Sequence, residues 1–331
     1  MLLHVLDVDV LSFRDVDRAH CFEETERDYR VYGTGHLVRR GERKLTAARI
    51  AFKQEVECFR DSFRLTRSHQ LREMLARAIA GVVLAVAATV IARRAHTLSK
   101  TGAATSTVVG ALAIAAGWSW GFLLLSVFVG ASTLSKLGEE KKATLLGPVV
   151  QKGDERDAGQ VLANGGIYAV AALGYIIFPS PVWQAVGIGA LAAAAADTWA
   201  TEIGTLFGGE PISIASGKRV PPGTSGGVTL VGTVAAAGGA IFVAAAAALA
   251  HWPVPFAAAA LGGMAGALTD SVLGATVQAR RWCDACAKST ERLVHHCGIP
   301  TRHAGGVVGF DNDAVNAVCS GVGALIALLL S

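Results

Sequence analysis

Residues 158–196 read AGQVLANGGIYAVAALGYIIFPSPVWQAVGIGALAAAAA, without a single Asp, Glu, Lys or Arg. A bilayer core of about 30 Å takes roughly 20 apolar helical residues to cross, so this stretch holds two crossings. Pro179-Ser180-Pro181 divides them, because proline lacks the backbone donor and clashes with the preceding helical turn. A soluble helix would place polar residues on one face at a period of 3.6, and these positions show no such face. The stretch therefore predicts a pair of membrane-spanning helices joined by a tight turn.

The same reading extends in both directions. Ala78–Ala92, Gly102–Ser135, Val220–Thr269 and Ala314–Ser331 are also free of charge. Gly117-Trp118-Ser119-Trp120 divides the second run, with tryptophans at interfacial depth, and His251-Trp252-Pro253-Val254-Pro255 divides the fourth. The expected fold is an all-α polytopic integral membrane bundle of about eight transmembrane helices, or seven. It spans residues 76–331, with an N-terminal extension over 1–73 that is soluble or interfacial and partly disordered. The 331-residue chain is 52% hydrophobic and 17% charged. Its net charge of +4 is small and scattered, which excludes nucleic acid as a partner and leaves membrane lipid. Met1–Phe13 lacks the basic n-region of a secretory signal, so a retained helix is expected to drive insertion.

Eight crossings put the connections Arg93–Thr101, Lys136–Asp157, Thr205–Ser225 and Arg280–Asp313 on one side. All their Lys and Arg residues gather there, and the short connections carry none. The positive-inside rule makes that side cytoplasmic, in the cytoplasmic membrane if the source is bacterial. The arginines of the extension resist this scheme, since eight crossings put them outside. They return to the cytoplasm if the second apolar run crosses once or the first helix is re-entrant. A start at Met74 would remove them.

Polar residues inside the apolar runs fall near those loops. Gln160 and Asn164 are one helical turn apart, Asp197 and Glu202 close one helix, Asp270 lies near the end of another, and Asn312, Asp313 and Asn316 open the last. An ionised group in hydrocarbon costs about 2.5–3.5 kcal/mol on insertion scales, so these carboxylates need partners or a wet cavity. Asp197, Asp270 and Asp313 supply hard oxygen ligands that suit Mg²⁺. Glu202 lies about 140° around the helix from Asp197, so only one of the two need touch the metal. Interhelical hydrogen bonding that merely holds the bundle together is the alternative.

Two loops could grip phosphate. Lys218, Arg219, Thr224, Ser225, Gly226 and Gly227 belong to a Gly-rich connection whose amides and following helix N-terminus, expected near Gly226, favour anions. It is not a phosphate-binding P-loop of the Walker type, because Ile212 stands where the first glycine belongs and Arg219 follows Lys218. Lys152 and Arg156 flank Gln160 and could neutralise phosphate or anchor to anionic lipid. A turn between two helices is the plain reading of the first loop. Within loop 280–313, Cys283, Cys286, His296 and Cys297 resemble half a zinc ribbon with its completing ligands, and free thiols are the alternative. Cys21, Cys58 and Cys319 look incidental.

The motifs RDAGQVLANGG (156–166), ADTWATEIG (196–204), GTSGGV (223–228), DSVLGA (270–275) and NDAVN (312–316) resemble the transmembrane protein nineteen family, an integral membrane domain of unknown function. The resemblance covers about residues 76–331. One branch is the plant phytyl-phosphate kinase, and likeness to it implies transfer of a phosphoryl group from a nucleoside triphosphate to an isoprenoid monophosphate. On that expectation Asp197, Asp270 and Asp313 hold Mg²⁺ with Asn316, the four cationic residues neutralise charge, and Thr224–Gly227 wrap phosphates. Zn²⁺ would be structural. The competing expectation is a transporter of a small polar or anionic solute, whose site would lie nearer the bilayer midplane.

Overall fold

The computed structural model describes residue 72, residues 75–146 and residues 155–331. Lys152 and, save for Arg72, the N-terminal extension lie outside these residues. Nine helices occur among the described residues: α1 (Leu75–Arg94), α2 (Lys100–Ala116), α3 (Trp118–Lys136), the short α4 (Glu139–Leu146), α5 (Ala158–Ile177), α6 (Pro181–Phe207), α7 (Leu230–Leu249), α8 (Phe256–Thr276) and α9 (Asn312–Leu329). Of the eight long ones, α1, α3, α5, α7, α8 and α9 are long and apolar enough to cross a membrane. The chain is a mostly helical integral membrane protein.

The breaks fall where the sequence puts them. Gly117 separates α2 from α3, so the second apolar run forms two helices, of which α3 alone is long and apolar enough to cross a membrane. Ser180 caps α6 through the Val182 N–H, with Pro181 in the first turn, where its missing donor costs nothing. Asp157 and Gln160 form a reciprocal capping box at α5, and Thr229 and Asp311 cap α7 and α9.

Helix α6 is the hub. It packs against α3, α4, α5, α7, α8 and α9. Its 27 residues rise about 40 Å, more than a bilayer core needs, and Ala190 and Ala192–Ala196 are all buried. Small residues allow this crowding. A Cβ on Gly323 of α9 would lie 2.5 Å from the Gly189 carbonyl of α6, and one on Gly263 of α8 would lie 2.7 Å from the Ala240 Cβ of α7. Lipid gives no hydrophobic drive between helices, so association rests on such close backbone packing. The large aliphatic side chains turn outward instead: Val83, Leu230, Val234 and Ile241 are exposed.

The two ends of the bundle differ in chemistry. At the short connections Trp120 is buried among Tyr168, Tyr175 and Trp252, with ring centroids 5.2, 5.4 and 4.6 Å away, and the Tyr168 hydroxyl donates to the Trp120 carbonyl at 2.6 Å. At the other end the long connections meet. Arg156 exchanges backbone hydrogen bonds with Thr97 and Ser99, Lys141 donates to the Leu206 carbonyl, and Ser225 reaches Glu291. Two small sheets lie here: β1 (Ile212–Ser213) pairs with β2 (Gly227–Val228), and β3 (Arg280–Cys283) lies between β4 (Lys288–Thr290) and β5 (Arg302–Gly305), all antiparallel.

Candidate functional site

Two carboxyl groups from different helices meet near the loop end. The side chains of Asp197 of α6 and Asp270 of α8 interact directly, and Cys319 of α9 lies within electrostatic reach of both. Asp270 lies six residues before the end of α8 and Cys319 seven residues after the start of α9. At 1.5 Å per residue both sit about 10 Å in from the loops. Asp270 Oδ2 is buried and has no hydrogen-bond partner among the described residues. Two bare carboxylates in contact repel strongly in a low dielectric, so the arrangement calls for a cation or a shared proton.

A polar lid lies over this pair. Glu291, from the connection after β4, lies within electrostatic reach of Asp270; its Oε1 accepts from Ser225 Oγ at 2.6 Å and from the buried Gln278 Nε2 at 2.7 Å. Gly226 makes the seat. It has a φ of +74°, and any Cβ there would collide with Ala275, while a Cβ on Gly274 would lie 3.0 Å from the Gly226 nitrogen. The glycine pair thus lets the loop backbone lie directly on α8, where Ser225 bonds Glu291.

Several sequence-predicted residues play other parts. Glu202 is bonded to Lys142 and Ser135 rather than to the aspartates, because the splay from Asp197 turns it toward α3 and α4. Lys142 is buried, and its ammonium also donates to the Leu134 and Ser135 carbonyls. Arg156 donates to Ser135 Oγ at 3.2 Å; burial pulls its guanidinium below the usual value, partly offset by the charge of Glu202. Gln160 is engaged in the α5 capping box, and the Asn164 amide donates to the Gln160 carbonyl. Lys218 and Arg219 are exposed, the latter paired with Glu210 at 2.9 Å. Thr224 donates to the Pro221 carbonyl, and Gly227 belongs to β2. The next helix starts at Leu230 rather than near Gly226, because β2 intervenes. On α9 Asn312 is exposed, Asp313 lies in the opening turn and Asn316 is buried.

The loop cysteines do converge. Cys283, Cys286 and Cys297 lie together with a histidine, and that histidine is His295 rather than His296. Backbone bonds from His295 N–H to the Ile299 carbonyl and from Gly298 N–H to the His295 carbonyl fold the turn so that His295 faces inward. His296 is exposed, its ring 4.0 Å from that of His295. A hydrogen bond with His295 draws the Cys297 thiol down to about 6, whereas its bonds to Cys297 push Cys286 up to about 11.

Glu291, Lys142, Ser135 and His295 were not foreseen as site residues, and Cys319 was set aside. Glu291 and Lys142 sit in mixed-charge connecting segments, Lys142 within the short α4, with no periodicity to single them out. Cys319 stands three positions after Asn316, about one helical turn on, and that spacing could have placed it.

An apolar groove of about 430 Å³ runs between α6 and α7, lined by Trp199, Ile203, Leu230 and Val234. Trp199 is two residues, or about 200°, around α6 from Asp197, so the groove lies on the far flank from the acidic pair.

A family model described as integral membrane protein DUF92 matches residues 83–324. Protein PGR of Arabidopsis thaliana is 34% identical over 233 residues, covering 61% of this chain and 78% of that protein. An uncharacterized membrane protein of Methanocaldococcus jannaschii is 31% identical over 208 residues, covering 61% and 84%. Another, from Synechocystis, is 29% identical over 132 residues, covering 39% and 51%. No solved structure matches the chain.

Proposed function

The chain belongs to the integral membrane protein DUF92 family, and from that premise we propose that it transfers a phosphoryl group from a nucleoside triphosphate to an isoprenoid monophosphate at the cytoplasmic leaflet. The observation that carries this reading is the Asp197–Asp270 contact, with one buried Asp270 oxygen unpartnered, beneath loops that carry hydroxyl and cationic groups. The likeness of its motifs to the transmembrane protein nineteen family, with its phytyl-phosphate kinase branch, points the same way.

Both substrates of such a reaction are phosphates, so the protein needs to position them and neutralise charge rather than supply a covalent nucleophile. An oxygen of the acceptor monophosphate attacks the γ-phosphorus, the bond to the β–γ bridging oxygen breaks, and the nucleoside diphosphate leaves with that electron pair. The acceptor oxygen is already ionised, which removes the need for a general base. Asp197 and Asp270 fit a hard divalent cation such as Mg²⁺, which would supply charge neutralisation for the phosphates. Lys218 and Arg219, exposed on the loop that carries Ser225, would draw the triphosphate in. The isoprenoid tail stays among the apolar outer faces of the helices.

Purified protein in lipid nanodiscs, given γ-labelled nucleoside triphosphates, magnesium and a panel of prenyl monophosphates, tests this. A labelled prenyl diphosphate is expected. Absence of product with every pairing, from protein that is monodisperse and thermally cooperative, would remove the proposal.

A further inference from the structure

The loop between α8 and α9 holds a group of side chains that phosphoryl transfer does not use. Cys283 ends β3 and Cys286 lies in the turn to β4; His295 and Cys297 lie in a second turn, closed by a bridge between Val294 and Pro300. One ligand atom from each of the four lies within 4.8 Å of the others.

The spacings are those of a coordination shell. Cys283 Sγ and Cys297 Sγ are 3.7 Å apart, and His295 Nδ1 is 3.2 Å from Cys297 Sγ. Zinc–sulfur bonds of about 2.3 Å at tetrahedral angles place two sulfurs about 3.8 Å apart. A disulfide would need about 2.05 Å, and all four described cysteines are free. Three thiols and an imidazole are a soft, borderline donor set suited to Zn²⁺.

A second observation points to a ligand at the same place. This three-stranded unit turns its apolar side chains outward: Leu293, Val294, Ile299, Val307 and Val308 are exposed. Its buried side chains are instead Cys283, His295, Thr290 and Thr301, each less than 10% exposed. A small fold without an apolar core needs another staple, and with its cysteines free a structural metal is one that small folds use.

We propose that Cys283, Cys286, His295 and Cys297 bind one structural Zn²⁺ that pins the two turns of this loop together. Glu291 lies in the segment between those turns, so the metal also fixes its reach to Ser225 and Gln278. That last consequence matters for catalysis only if the phosphoryl-transfer reading holds; the zinc site itself does not depend on it.

The test is the metal content of full-length protein purified without added metal, measured by mass spectrometry with no nucleotide present. About one zinc per chain is expected, retained by His296→Ala and lost by Cys286→Ser and by the Cys283→Ser, Cys297→Ser double variant. Should those variants fail to fold, an organomercurial added to wild-type protein must release the zinc stoichiometrically as thiols react. X-ray absorption should show three sulfurs and one nitrogen. Folded wild-type protein with less than about a tenth of a zinc per chain, iron in its place, or zinc kept by both cysteine variants would overturn the proposal. Kinase activity is not read, so a negative result here leaves that reading standing and the reverse also holds.

Discussion

Asp270 is the single acidic residue of α8, and Asp197 and Glu202 are the two of α6, which is why they could be read from sequence. A lone carboxylate in such a stretch carries an insertion penalty of about 2.5–3.5 kcal/mol that little but a function or a buried partner offsets. Asp197→Asn and Asp270→Asn preserve shape and remove charge. Each should cut phosphoryl transfer by at least about a hundredfold, the scale seen when one transition-state contact is removed. The variants should insert and purify normally, and turnover near wild type in both would exclude the pair from the chemistry. Glu202 shows the limit of this kind of reading. It too is acidic near a helix end, but its partner Lys142 comes from α4, distant in sequence, and no spacing rule connects them. Lys142→Met leaves Glu202 without its main cationic partner in a mostly dry site. The expected cost is about 3 kcal/mol, the scale for breaking a buried pair, read as a lowered unfolding temperature in detergent.

At the level of elements, the helix ends were legible because prolines, glycines and caps have local causes. The Gly-rich connection was not, because its glycines serve a tertiary contact. Gly226 was expected to open a helix and bare its amides to an anion; it lies against Ala275 of α8 instead. Gly226→Ala would add both a steric collision and a side chain at a φ of +74°, lifting Ser225 off Glu291. Activity should fall more than stability, as kcat measured against thermal unfolding will show; an unchanged kcat would make the loop a connector. The crossing of α6 and α9 gives the opposite signature. Gly323→Ala forces a Cβ to 2.5 Å from the Gly189 carbonyl and 2.6 Å from the Ala193 Cβ, which should cost about 1–3 kcal/mol of stability. In α6 the alanine run buries all sides, so the sequence revealed a buried helix but not which neighbours it meets.

For the whole molecule, the alternation of long and short connections was readable from charge alone, and the structure gathers aromatic packing at one end and the polar loops at the other. What charge could not reveal is that the polar end contains two separate groupings, Asp197–Asp270–Glu291 and Glu202–Lys142–Arg156, since both draw on the same loops. Single cysteines placed at Ser180 and at Ser216 test the two-sided arrangement: a membrane-impermeant maleimide should label the first in intact cells and the second only after permeabilisation. Labelling of both from one side would break the alternation on which the site's depth rests. The central claim is that carboxylates from α6 and α8 act as one cation-binding unit. It is tested most directly by electron paramagnetic resonance of Mn²⁺ added to purified protein with a non-hydrolysable nucleotide, compared with Asp197→Asn and Asp270→Asn. Wild-type protein should immobilise about one Mn²⁺ per chain and each variant should lose it; equal binding by all three proteins would contradict the account.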